Sequence, residues 1–188
     1  MIDQKRLKPG MIIRRFDSGK DEIVFRYLRK EDLPQALEYI NSLTKEKCFI
    51  GMQKEQTPEQ ESVWISASLK EMKEGRGVTI VAEINGRFMG SASVKRKPLD
   101  ANSHVCTIGI GLHSDFRGKG VGTEIMNTLI QQGRDVLKCS IAELSVYEPN
   151  AAAKRLYEKS GFAVTGRIPD GCNYYGKLYD EIIMVRKL

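Results

Sequence analysis

Alternating glycines in one short segment limit the folds open to this chain more than any other part of its sequence. Residues 117–122 read Arg-Gly-Lys-Gly-Val-Gly and lie between a run of strand character and a helical pattern. Glycines at alternate positions leave backbone N–H groups uncovered, and the dipole of the following helix favours negative charge there. Arg117 and Lys119 add positive charge. This turn predicts a binding site for a diphosphate.

Two other phosphate-binding loops are excluded by their spacing. The string Gly-x-x-x-x-Gly-Lys-Ser/Thr does not occur in the sequence. A dinucleotide fingerprint, Gly-x-Gly-x-x-Gly, fails at its last position from each start near the turn, where Ser114, Thr123 or Ile125 stands in place of glycine. A turn that only tightens the packing of strand against helix remains the structural alternative to a phosphate site.

The hydrophobic pattern predicts both strands and helices. Asn85-Gly86 between two apolar runs indicates a hairpin with a two-residue turn, and Thr57-Pro58 indicates the start of a helix. Predicted strands are residues 23–28, 78–84, 88–94, 104–112, 141–147, 162–165 and 182–185, and predicted helices are residues 30–40, 57–74, 121–137 and 150–160. Hairpins followed by a strand–helix–strand–helix unit predict an α+β fold, in which helices flank a mixed, mostly antiparallel central sheet.

A second motif follows the glycine turn at residues 150–162, Asn-Ala-Ala-Ala-Lys-Arg-Leu-Tyr-Glu-Lys-Ser-Gly-Phe. With Arg117, Gly120 and Gly122, which meet the pattern Arg/Gln-x-x-Gly-x-Gly/Ala, it resembles the GNAT superfamily of N-acetyltransferases. The resemblance covers roughly residues 23–187 and implies a sheet splayed in its middle. We therefore expect an N-acetyltransferase domain over residues 21–188, preceded by a basic arm or edge strand over residues 1–20.

The resemblance implies that acetyl-CoA is the acyl donor. Its diphosphate would be held by Arg117, Gly118, Lys119, Gly120, Val121, Gly122 and Thr123. Its pantetheine arm would lie beside the backbone of Ile110, Gly111 and Leu112 and accept a hydrogen bond from Asn150. Backbone N–H near Ile110 would meet the tetrahedral oxyanion. Tyr157 would protonate the leaving thiolate, because a phenol with a pKa near 10 keeps its proton at neutral pH.

The base that deprotonates the amine is not identified by the resemblance. Two places where relatives carry such a group hold Cys106 and Ser145, and neither is a carboxylate. Strand alternation offers Glu143, which shares a face with Ser145, and His104, which shares a face with Cys106. Glu83 is a third candidate. For each of them a structural or surface role is the alternative.

The resemblance implies that the acceptor is an amine, either of a small molecule or of a protein N-terminus. Residues 169–175 form a polar, aromatic loop that could close over it, or an ordinary hairpin loop. Because the usual carboxylates are missing, an acyl-CoA-binding sensor without turnover is the competing class of function. Direct attack by the amine needs no metal, and no further metal ligands lie at useful spacing from His104 and Cys106.

The amino-acid composition further limits the location and the binding partners that we expect for this protein. No apolar run approaches the roughly 20 residues of a membrane span, and the amino end lacks the apolar stretch of a secretory signal. Four widely spaced cysteines favour free thiols in a reducing compartment, so we expect a cytoplasmic protein. The net charge of +6 comes without a recognisable nucleic-acid module, so a nucleic-acid partner is disfavoured. A homodimer remains open.

Overall fold

The computed structural model describes residues 7–188, and within them eight strands form one sheet. The strands are β1 (Ile12–Ser18), β2 (Asp21–Tyr27), β3 (Gly77–Ile84), β4 (Arg87–Arg96), β5 (Val105–Leu112), β6 (Ile141–Tyr147), β7 (Ala163–Tyr174) and β8 (Lys177–Lys187). The helices are α1 (Leu33–Glu46), α2 (Pro58–Lys73), α3 (Val121–Gln131) and α4 (Ala151–Lys159). Strand order is β1-β2-β3-β4-β5-β6-β8-β7, and all neighbours are antiparallel except β5 and β6. The predicted α+β fold is confirmed.

Local sequence signals explain several of the boundaries. Asn85 and Gly86 both have positive φ, 51° and 76°, as a type I′ turn requires between twisted antiparallel strands. At the start of α2, the Thr57 hydroxyl accepts the Gln60 N–H while the Gln60 side chain accepts the Thr57 N–H. This capping box satisfies two backbone donors and fixes where α2 begins.

Two segments differ from their predictions. The helix predicted over residues 121–137 is α-helical only to Gln131 and continues as a π-helical turn, Gln132–Val136. Gly133 lets this turn approach the sheet, because a Cβ there would lie 3.3 Å from Cys106 Sγ. The loop predicted over residues 169–175 is mostly strand: β7 runs to Tyr174 and pairs with β8 through an irregularity between Ile168 and Cys172. Pro169 is tolerated because β7 is an edge strand.

The basic segment predicted as an arm or edge strand contains β1, which pairs with β2 at one edge of the sheet. The first six residues lie outside the described part of the chain. The domain boundary at residue 21 stays a prediction, since β1 extends the sheet from its amino-terminal side.

Helices cover both faces of the sheet. Tyr39 of α1 packs against Phe88, and its hydroxyl lies over Gly111, so α1 covers the face that bears these residues. The π-helical turn packs on Val94 and Cys106, which point to the opposite face, and Leu156 of α4 touches Gly122 of α3. The core therefore has two layers, with α1 and α2 on one side and α3 and α4 on the other.

A buried ion network ties the start of α1 to the sheet. The Arg26 guanidinium, 3% exposed, donates to both carboxylate oxygens of Asp32 at 2.7 and 2.8 Å and to Glu83 at 2.7 Å. Each charge is thus paired and hydrogen-bonded, the condition under which buried ions are tolerated. Loss of one partner would leave an unpaired charge in the protein interior, where water cannot solvate it.

Candidate functional site

The sheet opens in its middle, between β5 and β6. These parallel strands pair only at three positions, from Val105 opposite Ile141 to Thr107 opposite Glu143. Beyond them the strands diverge, and a cavity of about 1090 Å³ passes through the gap. Its lining comes from both faces of the sheet, so the splayed centre implied by the resemblance is present.

The edge of β5 presents unpaired backbone to this gap. His113 N–H donates to Met89 O on β4, and backbone groups alternate sides along a strand, so those of Ile108, Ile110 and Leu112 point towards β6. The Leu112 carbonyl accepts Arg117 Nε at 2.9 Å. The Ile110 N–H can therefore donate a hydrogen bond to an oxygen atom of a ligand in the gap. The backbone N–H and C=O groups of Gly111 face β4 instead.

The glycine turn forms one wall of the cavity. Gly118 and Gly120 have φ of 77° and 81°, and a Cβ at either would meet nothing within 4 Å. They are needed for this backbone conformation, which L side chains rarely adopt. Gly122 has a different role, because a Cβ there would lie 3.4 Å from Leu156.

The amides of this turn remain available to a ligand. Thr123 N–H bonds back to Gly120 O, but the first N–H groups of α3 have no partner within the helix. Gly118, Gly120, Gly122 and Thr123, which belong to the turn or to the first turn of α3, all line the cavity. A row of uncovered donors at a helix N-terminus fits a diphosphate.

The cationic side chains of the turn are already paired. Arg117 makes a bidentate ion pair with Glu46 at the end of α1, with one contact at 3.0 Å. Lys119 lies 3.7 Å from the Asp21 carboxylate and over the Phe116 ring, and it does not line the cavity. Val121 is buried in the core and does not line it either. We therefore expect an anion at this turn to be bound mainly by backbone N–H groups and less by the charges of Arg117 and Lys119.

Helix α4 completes this wall. Asn150 caps the helix by accepting the Ala153 N–H at 3.2 Å, and it lines the cavity. Tyr157, 7% exposed, reaches the same cavity from the next turns of α4. Burial raises the pKa of the Tyr157 hydroxyl to about 12, so this group holds its proton throughout the neutral range. We call the set of Gly118, Gly120, Gly122, Thr123, Asn150 and Tyr157 the glycine wall.

The opposite wall belongs to the other face of the sheet, and sequence patterns did not identify it. Thr79, Ser93 and Gly109 lie side by side on three neighbouring strands and form its floor. Helix α2 contributes Glu61 and Trp64, three residues apart on one helical face. We call the set of Glu61, Trp64, Thr79, Ser91, Ser93 and Gly109 the serine wall. Its one signal in the sequence is a glutamate at a core-facing position of α2.

The structure does not bring the predicted bases to the cavity. Glu143 pairs with Lys97 at 2.6 Å, and Glu83 pairs with Arg26. His104 is exposed and precedes the first residue of β5. None of the three lines the cavity. We therefore propose none of them as the base.

Cys106 is equally remote from the cavity. Its thiol points into the layer under the π-helical turn and contacts Ile141 O at 3.4 Å. Its neighbour Cys139 and burial raise the pKa of the Cys106 thiol. Ser145, by contrast, lines the cavity on β6 beside Tyr147.

Two kinds of feature are absent from residues 7–188. No helix there combines the length and the apolar character needed to cross a membrane. In the same residues, no three side chains of His, Cys, Asp or Glu cluster as metal ligands would.

Comparison with known proteins is consistent across sequence and structure. Residues 38–162 match the model of the acetyltransferase (GNAT) family. An L-amino acid N-acetyltransferase of Escherichia coli (strain K12) is 29% identical over 107 residues, which cover 57% of this chain and 66% of that protein. The chain thus spans slightly under two thirds of the length of the first curated relatives that it matches.

Two solved structures share the fold. An acetyltransferase of the GNAT family from Streptococcus pneumoniae superposes with a TM-score of 0.79 at 19% identity, over 88% of this chain and 99% of that one. A putative acetyltransferase from Salmonella typhimurium, solved with its cofactor acetyl-CoA, has a TM-score of 0.77 at 23% identity, over 88% and 94% of the two chains.

Proposed function

Since this chain belongs to the GNAT acetyltransferase family, we propose that it transfers an acetyl group from acetyl-CoA to the primary amine of a small molecule. The observation that carries the proposal is the gap between β5 and β6, with uncovered turn amides and Tyr157 on one side of it. The relative from Escherichia coli, named for L-amino acids, supports a small-molecule acceptor over a protein N-terminus.

The residues of the glycine wall fit the donor. Amides of Gly118, Gly120 and the first turn of α3 would hold the diphosphate, and the free edge of β5 would pair with the pantetheine arm as an added strand would. The Asn150 amide nitrogen would donate to the same arm. When bound, the donor supplies a thioester carbonyl that an amine can attack.

Three groups of this chain would then act on the reaction. The Ile110 N–H would donate to the carbonyl oxygen as negative charge develops on it. The raised pKa keeps a proton on Tyr157 Oη, which would pass to the departing sulfur. The serine wall would hold the acceptor on the opposite face, so that the amine meets the carbonyl at the gap. A new C–N bond forms as the C–S bond breaks, and the proton lost by the attacking nitrogen would return through water to the Tyr157 oxygen, which has given its own proton to the sulfur.

The decisive experiment measures free thiol released from acetyl-CoA over a panel of primary amines, together with acetyl-CoA affinity by calorimetry. Turnover on at least one small amine is the expected result. Tight acetyl-CoA binding without turnover on any amine or peptide N-terminus would instead favour the sensor. Absence of acetyl-CoA binding would refute both functions.

A further inference from the structure

One carboxylate in the cavity stands out because it is buried and has no partner. Glu61 is 6% exposed and begins the core-facing stripe of α2, which continues with Ile65, Ser68 and Met72. Burial is the sole cause that raises the pKa of its carboxyl group. Within residues 7–188 its carboxylate makes no hydrogen bond or ion pair, and its oxygens open onto the cavity rather than being fully enclosed.

Other carboxylates that are buried or line the cavity differ from Glu61 because each is paired with an arginine. Asp32 and Glu83 share Arg26, and Glu46, the other acid of the cavity lining, is paired with Arg117. The Glu61 carboxylate is largely removed from water and lacks a partner in the protein, so a cation that enters the cavity would find a poorly solvated anion there. The position of Glu61 therefore calls for a cation from the cavity side.

The surroundings of Glu61 fit an ammonium group. Trp64 lies one helical turn further along α2 and lines the same part of the cavity, and a tryptophan face attracts a cation. Hydroxyl groups of Thr79 and Ser93 face this space from the floor. The cationic side chains that line the cavity come from elsewhere, at the end of α1, the glycine turn and α4 (Lys47, Arg117, Arg155 and Lys159).

Glu61 lies away from the place of reaction. Helix α2 packs on β3 and α1, whereas the reacting carbonyl belongs at the edge of β5. Neighbouring strands are about 4.8 Å apart, so β3 and β5 are separated by roughly 10 Å. A carboxylate on α2 would therefore reach a second charged group of the acceptor rather than the amine that is acetylated.

We propose that Glu61 binds the distal ammonium group of a linear diamine whose other amino group lies at the gap between β5 and β6. This inference rests on the proposed acetyl transfer and names the class of acceptor. Trp64 packs against the same ammonium group, and the hydroxyl-lined floor accommodates the chain between the two nitrogens. Linear monoamines of equal length leave Glu61 unpaired and bind more weakly.

The test compares 1,8-diaminooctane with n-octylamine, which differ by one terminal ammonium group. We expect the wild-type protein to acetylate the diamine with a kcat/KM about tenfold to a hundredfold higher, the range for a hydrogen bond to a charged group. Glu61→Gln keeps the shape and removes the charge, so it should lower kcat/KM for the diamine and abolish this preference. Glu59→Gln, on the exposed side of the same turn, is the matched control and should keep the preference.

A binding measurement without acetyl-CoA separates this inference from the proposed function. Calorimetry should show that 1,8-diaminooctane binds the wild type and Glu59→Gln but binds Glu61→Gln at least about tenfold more weakly. Glu61-dependent binding without acetylation would retain the inference and defeat the acetyltransferase. Acetylation of both amines without preference, or an equal loss for both in Glu61→Gln, would overturn the inference and leave the acetyltransferase intact.

Discussion

The glycine wall and the serine wall face the same cavity but are built in different ways. The glycine wall comes from two continuous stretches, residues 117–123 and 150–157, and offers mainly backbone donors and one phenol. The serine wall draws on α2 and three strands, and apart from Gly109 its members present side chains. A backbone site depends on conformation and so keeps a fixed local pattern. A side-chain site can change residue by residue, which is how one fold serves many acceptors.

The largest effect should follow from forcing a side chain into the glycine wall. Gly120→Val places a β-branched residue at a φ of 81°, so the turn must change conformation. Its N–H groups would then no longer be oriented to donate to the diphosphate. Two lost hydrogen bonds to charged phosphate would weaken acetyl-CoA binding by roughly a hundredfold or more. Calorimetry would measure this affinity.

Gly86→Val is the matched control for that change. Gly86 has a similar φ, 76°, and lies in the β3–β4 turn away from the cavity. It should lose comparable stability to urea, of about 1–2 kcal/mol, and keep acetyl-CoA affinity. Equal loss of affinity in both variants would mean that the glycine wall acts only through stability.

Removal of the phenol should act on turnover rather than on binding. Tyr157→Phe deletes the proposed proton donor and should lower kcat by about a hundredfold, while acetyl-CoA affinity changes little. Steady-state kinetics with an acceptor found in the panel would measure it. Tyr27→Phe is the control and should keep kcat, because this buried tyrosine donates to Gln132 and does not line the cavity. Unchanged turnover in Tyr157→Phe would remove this residue as the acid.

A cationic residue of the turn should matter less than its backbone. Lys119→Gln removes a charge that already lies near Asp21 and is half exposed, so acetyl-CoA affinity should fall less than about threefold. The measurement is calorimetry at two salt concentrations. A tenfold loss would show that charge, and not the amides, dominates the glycine wall.

The smallest effect concerns pH. In the proposed reaction the protonated form of Tyr157 is the active one, and its raised pKa of about 12 delays its ionisation to strongly alkaline solution. We expect no decline of kcat between about pH 8 and about pH 10.5, whereas a tyrosine with the ordinary pKa near 10 would be half ionised within that range. A stopped assay with circular dichroism as the check on folding would measure it. A fall of kcat centred near pH 10 would contradict the buried environment of this group.

The two walls also differ in what the sequence allowed us to predict. The turn at residues 117–122 was found because its glycines and helix start are contiguous, and Asn150 and Tyr157 followed from the second motif. Glu61, Thr79 and Ser93 are separated by many residues and come together only through sheet register and helix packing, which no local pattern encodes. The predicted bases Glu143 and His104 failed to reach the cavity for the same reason.

Among the elements of the fold, those determined by adjacent residues were predicted, and those determined by distant contacts were not. The Asn85-Gly86 turn and the Thr57 cap were recognised because a few adjacent residues determine each of them. The length of β7 was missed because Pro169 and Gly171 resemble loop residues, and only pairing with β8 keeps them in a strand. The π-helical turn was missed because it depends on Gly133 contacting Cys106 from a distant strand.

Only three residue pairs join β5 to β6, so the sheet consists of two halves connected by a short stretch of strand pairing. A ligand arm lying in the gap would complete the missing pairing and bridge the halves, which makes the acyl donor part of the architecture as well as a reactant. Ligands that bind only the folded state raise its stability with their concentration. The resistance of this protein to heat and proteases would then follow the supply of the donor in its surroundings.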